Sequence, residues 1–444
     1  MTTKRLFLPV EIKKREFDAK LLLAFFALEK GMEVYIGRQP EILKGMIFFN
    51  RSIFFEKGLT ILNLKQIKYL DNLGHNVVAT CEEGLIYNDD EFYLKRRISK
   101  KALDLVEIFF AWGSKQAKLI KNYSYENINK IIASGNPRID LLEKNLLKVK
   151  YDESKKIKNK YKKIILINSN FSIYNNKNGK NFYLEEMIWA RGDVDVSHEK
   201  QCREYYNYQM HNFFSYIDLI KNLVRDFKDF KIIVRPHPSE NILEWKRICS
   251  KISDRVLVTN EQNFIAWSMA SKYIIQCRCM TGLESFMISK KNVINYEPYK
   301  LSYSKNITNE IGFQCDTYEK IKSIIKRNPK TYLNPESKIK SLITFGKSLS
   351  ASVIIDHIVN YRFKEKNKKY TFLISLILER LISKSLNLFK KKKKDPWDDK
   401  FKSITVYEVE LFLKSISLIL KKPSKFIVKE SFFSDKCIKI KRYE

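Results

Sequence analysis

Short apolar runs alternate with segments of helical periodicity in two series along this 444-residue chain, and no other feature restricts its fold as strongly. RLFLPV reads as a buried strand. EFDAKLLLAFFALEKG carries apolar residues at helical spacing and stops on Gly31, and MEVYIG is a second strand, so the chain opens as a β-α-β unit of a parallel sheet. The alternation continues through GMIFFN, a helix near Thr60 to Leu73, HNVVAT, ISKKALDLVEIFFAWG and KIIASGNPRIDLL. A charged, weakly apolar stretch from about Leu146 to Lys163 reads as a linker or a solvated helix. A second series begins there: KIILINSN, YIDLIKNLVRDF, KIIVRPHP, ILEWKRICSKI, RVLVT, KYIIQ, LESFMI and NVINY. The pattern predicts an α/β protein of two Rossmann-like domains facing a cleft, with ligands beyond the carboxyl ends of the strands. The expected bounds are 1–145 for the first Rossmann-like domain, 146–163 for the linker, 164–360 for the second and 361–444 for a basic, amphipathic, helical C-terminal extension. A polar, aromatic-rich insert at 172–211 reads as a lid or substrate-contacting loop.

Charge narrows the partners. Lys and Arg number 83 against 50 Asp and Glu, a formal net charge of +33. That excludes an acidic solvating protein and leaves nucleic acid, an anionic membrane surface or phosphorylated substrates open. The chain is also rich in Lys, Asn, Ile, Tyr and Phe and poor in Gly and Pro, a pattern that compositional drift alone can produce. From Tyr361 onward the excess is +13, and TFLISLILERLISKSLNLF runs into five lysines, Lys390 to Lys394. The 371–394 region is therefore expected to lie on an anionic membrane surface; the plainer reading is a packed helix with a solvated basic end. Its longest apolar stretch, Thr371 to Ile382, is broken by Glu379 and Arg380 and is too short to span a bilayer. The seven cysteines are odd in number and form no CxxC pair, which argues against a disulfide framework or a zinc site and for a reducing cytosol. The N-terminus lacks an apolar signal core. The expected location is cytoplasmic, peripheral on the inner face of the membrane.

Two turns carry the chemistry. In IIVRPHPSE the prolines end a strand and place His237 at its carboxyl end, beside Arg235 and Pro238; His237 can donate to a phosphate oxygen. In CEEGLIY, Glu82, Glu83 and Gly84 follow the strand HNVVAT. Gly84 permits a tight turn, and repulsion between adjacent carboxylates can raise one pKa and make it a general base. Farther on, Thr281 is placed to cap the helix containing Glu284, and Gly282 to let its backbone approach a phosphate. Glu261 can accept from ribose hydroxyls or a base amine. Glu11, Arg15 and Glu16 follow the first strand and are expected to face the cleft and contact substrate. Each has a plain structural alternative: an ordinary cap, a solvated acidic turn, or surface ion pairs.

An acidic-acidic-glycine turn in the first domain and a His-Pro turn in the second resemble the paired motifs of bacterial sialyltransferases, and similar layouts occur in Kdo transferases and CDP-glycerol polyol-phosphate transferases. All have the GT-B fold. PVEIKKREFDAKLLLA, EEGLIY, GNPRIDLL, LINSNF, RPHP and TGLES, in this order, resemble the bacterial surface-carbohydrate biosynthesis proteins of that superfamily, over about residues 9 to 285, with a fainter match in DDKFKSITVYEVE. The resemblance implies that Glu82 is the general base, that His237 contacts the phosphate of a CMP-sugar, that Glu261 holds the ribose and that Thr281 binds phosphate, although Gly282 stands where a second hydroxyl residue is expected. It also places Asn168, Ser169 and Asn170 near the donor phosphate, and Arg138 in a turn closing the first domain, where it can approach an anionic group. No cofactor and no catalytic metal are expected. Asp193-Val194-Asp195 spells the metal-binding DxD of GT-A transferases but lies in the insert, and His198-Glu199 lacks a spaced His partner.

The expected function is a metal-independent glycosyltransferase of surface-polysaccharide synthesis, such as capsule or lipopolysaccharide. It passes a CMP-activated ulosonic acid, sialic-acid-like or Kdo-like, to a glycan or lipid-linked glycan acceptor. The alternatives are a CDP-polyol phosphotransferase of the teichoic-acid type, a basic nucleic-acid-binding protein, for which no RNA-binding or helix-turn-helix motif is present, and an inactive scaffold.

Overall fold

The computed structural model describes residues 4–443 apart from 86, 88–89, 183, 186–195, 302–305, 345–347 and 375–399. It divides into two compact α/β units, 1–149 with 339–444, and 150–338.

Unit 1 is built on one eight-stranded sheet. Its strands are β1 (Arg5–Val10), β2 (Glu33–Arg38), β3 (Ile53–Glu56), β4 (Asn76–Thr80), β5 (Ile108–Ala111) and β6 (Ile131–Ala133), all parallel, with β13 (Phe426–Ser431) and β14 (Ser434–Arg442) as an antiparallel hairpin. The order is β13-β14-β2-β1-β3-β4-β5-β6. The direction of winding reverses between β1 and β3, and such a switch point opens a crevice at the strands' carboxyl ends. GMIFFN itself holds no strand: Met46–Phe48 is a 3-10 turn, and β3 follows it.

The sequence misplaces the domain bounds. The stretch from 361 is not a separate helical extension: the chain from residue 339 onward belongs to unit 1. Helix Ser350–Asn360 lies against helix Lys13–Glu29, as does helix Val406–Ile419, and β14 pairs with β2 through Cys437↔Gly37 to Ile440↔Val34. The reason lies in the first helix, where residues 21–28 are all buried. A helix apolar on every side needs cover on every side, and the C-terminal helices supply what the sheet does not. Gly37 is required because a Cβ there would sit 2.7 Å from the Cys437 sulfur. The point of return is fixed by Asp140, whose carboxylate accepts from the Ser350 and Ala351 amides at 2.9 and 2.8 Å. Beside it, Gly135 has φ +83°, and a Cβ there would fall 2.2 Å from Ser350 Oγ.

Unit 2 has a six-stranded parallel sheet: β7 (Ile164–Asn168), β8 (Lys231–Arg235), β9 (Val256–Val258), β10 (Tyr273–Gln276), β11 (Val293–Tyr296) and β12 (Phe313–Cys315). The order β12-β11-β10-β7-β8-β9 is the Rossmann order, with its switch point between β7 and β10. Alternate residues of β7, β8 and β10 fill two cores. Ile165, Ile167, Ile232, Val234 and Ile275 face one, and Ile164, Leu166, Ile233 and Ile274 the other. The expected linker is part of this unit: helix Tyr151–Tyr161 buries Ile157 in the second core, and Tyr161 stacks on Trp267. Nor is 172–211 one loop, since a 31-residue helix, Val196–Asp226, begins inside it.

Candidate functional site

In unit 1 the expected residues gather at the switch point. The Cys81 carbonyl accepts from the Gly84 amide at 3.0 Å and from Trp112 Nε1 at 2.6 Å, which closes the acidic turn. Glu82 N–H donates to the Lys57 carbonyl at the end of β3. Gly84 has no room for a side chain because Gln116 fills the place: a Cβ would lie 2.0 Å from its Nε2. The two carboxylates diverge. Glu83 is exposed and pairs with Arg97 and, at 3.9 Å, with Arg15. Glu82 turns inward, with Oε2 3.7 Å from Arg138 Nη1 and both side chains about one-tenth exposed. That oxygen is buried and accepts no hydrogen bond among the described residues. Arg15 also donates to the Glu82 carbonyl at 3.2 Å. Arg138 stands over the Trp112 ring, and its amide is capped by Asn136 Oδ1 at 3.0 Å.

Glu16 takes a structural part. Its carboxylate accepts from the amides of Glu11 and Ile12 and so caps the first helix. Burial first, then the charge of Glu82, pushes its pKa up to about 7. Glu11 is held between Lys57 and Lys400. Four members of the cluster escaped sequence reasoning: Lys20, Glu56, Lys57 and Lys400. Lys20 is buried, lies over the Phe55 ring at 4.2 Å and has no hydrogen-bond partner for Nζ among the described residues. Burial lowers its pKa, against the pull of Glu82, Glu16 and Glu56. Glu56 is wholly buried, and desolvation raises it to about 7 although Gln66 and Asn63 donate to it. Burial draws Lys57 down to about 8. Lys20, Glu82, Thr80 and Asn136 line a pocket of about 10 Å³, room for roughly one water.

In unit 2 the organising residue is Glu240, another that sequence reasoning passed over. It is buried, and its carboxylate accepts from Ser169 Oγ at 2.8 Å, the His237 amide at 2.9 Å and Trp245 Nε1 at 2.8 Å. One side chain thus ties the end of β7 to the His-Pro turn. Burial raises its pKa against these donors. The Ser239 amide donates to His237 Nδ1 at 3.3 Å, which leaves Nε2 as the proton-bearing nitrogen of the neutral ring. The start of the insert is pinned to the same turn: Asn241 N–H donates to the Asn175 carbonyl and Lys177 N–H to that of Ser239.

Other expected ligands have different employment. Arg235 donates to the carbonyls of Glu261 and Gln262 at 2.6 and 3.4 Å, and desolvation lowers its pKa to about 10. It braces that loop; the Glu261 residue itself is exposed, as is Pro238. Thr281 is not the helix cap. Cys279 holds that position without a side-chain cap, and Thr281 lies in the first turn with Oγ1 buried beside the Cys279 thiol. Gly282 is there for packing, since a Cβ would meet the Gln276 side chain at 2.4 Å. Glu284 is buried in the same helix. Asn168 pairs in register with Gln276 across the switch point and is buried with Nδ2 unpartnered; Asn170 uses its carbonyl to accept from Gln209 at 2.9 Å. A crossing row of amides, Gln276 to Asn295 to Gln314, holds the other carboxyl ends at 2.9 Å per bond.

Among the described residues no group of three or more His, Cys, Asp or Glu is placed to hold a metal ion. Asp193 and Asp195 lie outside them, as do the His198 side chain and Lys390 to Lys394. All seven cysteines are buried and none is in a disulfide. No described helix is long and apolar enough to cross a membrane.

No family model and no curated protein matches the chain. Solved structures do. The UDP-GlcNAc 2-epimerase of Methanocaldococcus jannaschii is 12% identical with a TM-score of 0.49, over 81% of this chain and all of that one. The S. aureus MnaA–UDP structure gives 12% and 0.48, over 83% and 100%. The wall teichoic acid polymerase TagF gives 11% and 0.43, over 86% and 90%. The fold rests on the two strand orders themselves, which make the chain a pair of Rossmann-like α/β units.

Proposed function

We propose that the chain is a metal-independent glycosyltransferase that uses a nucleotide-sugar donor to build a bacterial surface glycan. The observation that carries this reading is Glu82: a nearly buried carboxylate at the switch point of unit 1, flanked by Arg138 and Lys20, with one oxygen accepting no hydrogen bond. A general base needs a free lone pair within reach of the substrate hydroxyl, directly or through one water, and the pocket beside Glu82 has room for roughly one water. In this reading Glu82 takes the acceptor proton as the hydroxyl oxygen bonds to the anomeric carbon, and the nucleotide leaves with the bond's electrons on its phosphate. In this reading unit 2 holds that phosphate with His237 Nε2–H, Thr281 and Asn168, whose buried Nδ2 has no partner among the described residues. Glu261 serves the ribose. The proposed donor is a CMP-linked ulosonic acid, the acceptor is a glycan or lipid-linked glycan, and the 371–394 region rests on the inner face of an anionic membrane.

The test is a thermal-shift screen with CMP, CDP, UMP, UDP, GDP and ADP on the wild type and on His237→Ala, followed by transfer assays with Glu82→Gln. A ligand at about 100 times its Kd stabilises by about 2.7 kcal/mol, which moves Tm by roughly 5–10 °C for a unit of this size. A CMP response lost in His237→Ala supports the donor. A response to CDP alone turns the reading to polyol-phosphate transfer, and one to UDP alone to an ordinary sugar nucleotide. No response to any nucleotide, or full transfer by Glu82→Gln, overturns the proposal.

A further inference from the structure

Unit 1 exposes a second feature, separate from the carboxyl-end cluster. Phe48 and Phe432 are 59% and 71% exposed, yet their rings touch at 5.7 Å. Exposed apolar residues are ordinary when scattered; two phenylalanines that meet in solvent are not. Close by, the chain returning along helix Ile61–Asn72 presents Tyr370 and Ile374, 75% and 58% exposed. The neighbourhood is continuous. Lys368 Nζ donates to the Ile47 carbonyl at 2.9 Å, Lys369 Nζ to Asn72 Oδ1 at 2.8 Å, and Phe372 meets Tyr69 at 5.9 Å. Ile47, Tyr69, Phe372, Leu373 and Phe433 all pack on one core. The patch is tied to the amino ends of the strands: Phe48 precedes β3, and Gly74, against which residues 366–368 lie, precedes β4.

The surroundings are basic. Lys364 to Lys369 hold four lysines and one glutamate. The nearby acids Glu41, Asp71 and Glu365 are each held by a cation, Lys44, Lys366 and Arg51 respectively. From Ile374 the sequence runs on through an apolar stretch to five consecutive lysines.

We infer that the folded face formed by Phe48, Phe432, Tyr370 and Ile374, with Lys364, Lys368 and Lys369 around it, docks on an anionic lipid surface. Aromatic rings standing clear of a field of lysines suit a headgroup region, where the rings enter the acyl boundary and the ammonium groups meet lipid phosphates. This goes beyond the membrane contact proposed for 371–394 by assigning a preformed contact to the folded unit, and it does not depend on which donor the enzyme uses.

The experiment is flotation of the full chain with phosphatidylcholine vesicles, with and without phosphatidylglycerol. The variants are F48S/F432S, Y370S/I374S, and glutamine at Lys390 to Lys394, each checked for an unchanged Tm. The wild type is expected to float only with the anionic vesicles. F48S/F432S should lower the partition coefficient by about tenfold or more with Tm intact, and Y370S/I374S should lower it in the same direction. The inference is overturned if the wild type ignores anionic vesicles. It is overturned if both aromatic-face variants float as the wild type does while the lysine variant alone fails. It is also overturned if F48S/F432S changes only the sedimenting mass, which makes the face a contact between two copies of the chain. Nucleotide shifts measured on the same samples report separately on the catalytic proposal.

Discussion

Replacing Glu240 by alanine should cost more than any other single change at the His-Pro turn. The wild-type carboxylate takes three donors from three separate pieces of chain: Ser169 Oγ, the His237 amide and Trp245 Nε1. Each buried donor left without an acceptor costs about 1–3 kcal/mol. Two terms reduce the sum. The Ser169 hydroxyl can rotate, and removing a carboxylate that burial already disfavours returns part of its desolvation cost. A net loss of about 2–4 kcal/mol follows, or roughly 4–16 °C in the Tm of a unit this size. Glu240→Gln keeps the shape but turns an NH2 toward one of the donors, and should lose about 1–2 kcal/mol. The assay is chemical denaturation followed by far-ultraviolet circular dichroism, which reads all four members of the cycle. Trp245→Phe removes one donor, so Glu240→Ala should cost less in that background by about 1 kcal/mol, a coupling the double-mutant cycle reads directly. If Glu240→Ala unfolds within about 0.5 kcal/mol of wild type, or the cycle shows no coupling, the carboxylate does not organise the turn and the argument for His237's placement fails.

Burial raises Glu16 and Glu56 to about 7 from 4.5 and Asp140 to about 6 from 3.8. All three bind protons on folding, so unit 1 should be most stable below about pH 4.5 as far as these groups act and lose stability as pH rises toward 7. Glu56→Gln should flatten denaturation midpoints measured across that window, whereas a wild-type rise through it would contradict the assignment. Gly31 and Gly135 both have positive φ, but a Cβ on Gly31 meets nothing within 4 Å while one on Gly135 strikes Ser350. Thermal unfolding should therefore show Gly31→Ala costing about 1 kcal/mol and Gly135→Ala at least 2–3. Ending the chain after residue 399 removes β14, whose Cys437, Ile438 and Ile440 are fully buried, and should abolish cooperative unfolding of unit 1 while leaving that of unit 2.

The alternation of apolar strands and amphipathic helices made both parallel sheets legible, and the glutamates and the histidine were legible as turns past two strand ends. Burial was not. Lys20 looks like a break in AKLLLAFFAL, and Glu56 like the solvated end of IFFE; only the stacking of β1, β3 and β4 turns them into neighbours of Glu82. Glu240 stood in plain view three residues after His237, but nothing local says that its side chain folds back on that residue's amide. The C-terminal hairpin did leave a signal, since CIKIKR alternates with period two as a one-sided strand does. So did the first helix, whose apolar residues surround its axis and call for partners that the first 145 residues do not contain.

The hairpin also fixes an order of events at the ribosome. Unit 2 is one unbroken stretch and has every strand of its sheet once residue 338 has emerged. Unit 1 must wait, with β2 and the apolar first helix uncovered, until Cys437 and its neighbours arrive some four hundred residues after the first strand was made. Domains usually fold from the N-terminus onward. In this chain the middle is free to finish first, and the first-made segment is the last to be sealed, which leaves its exposed strand edge and apolar helix as the natural substrates for a chaperone during synthesis.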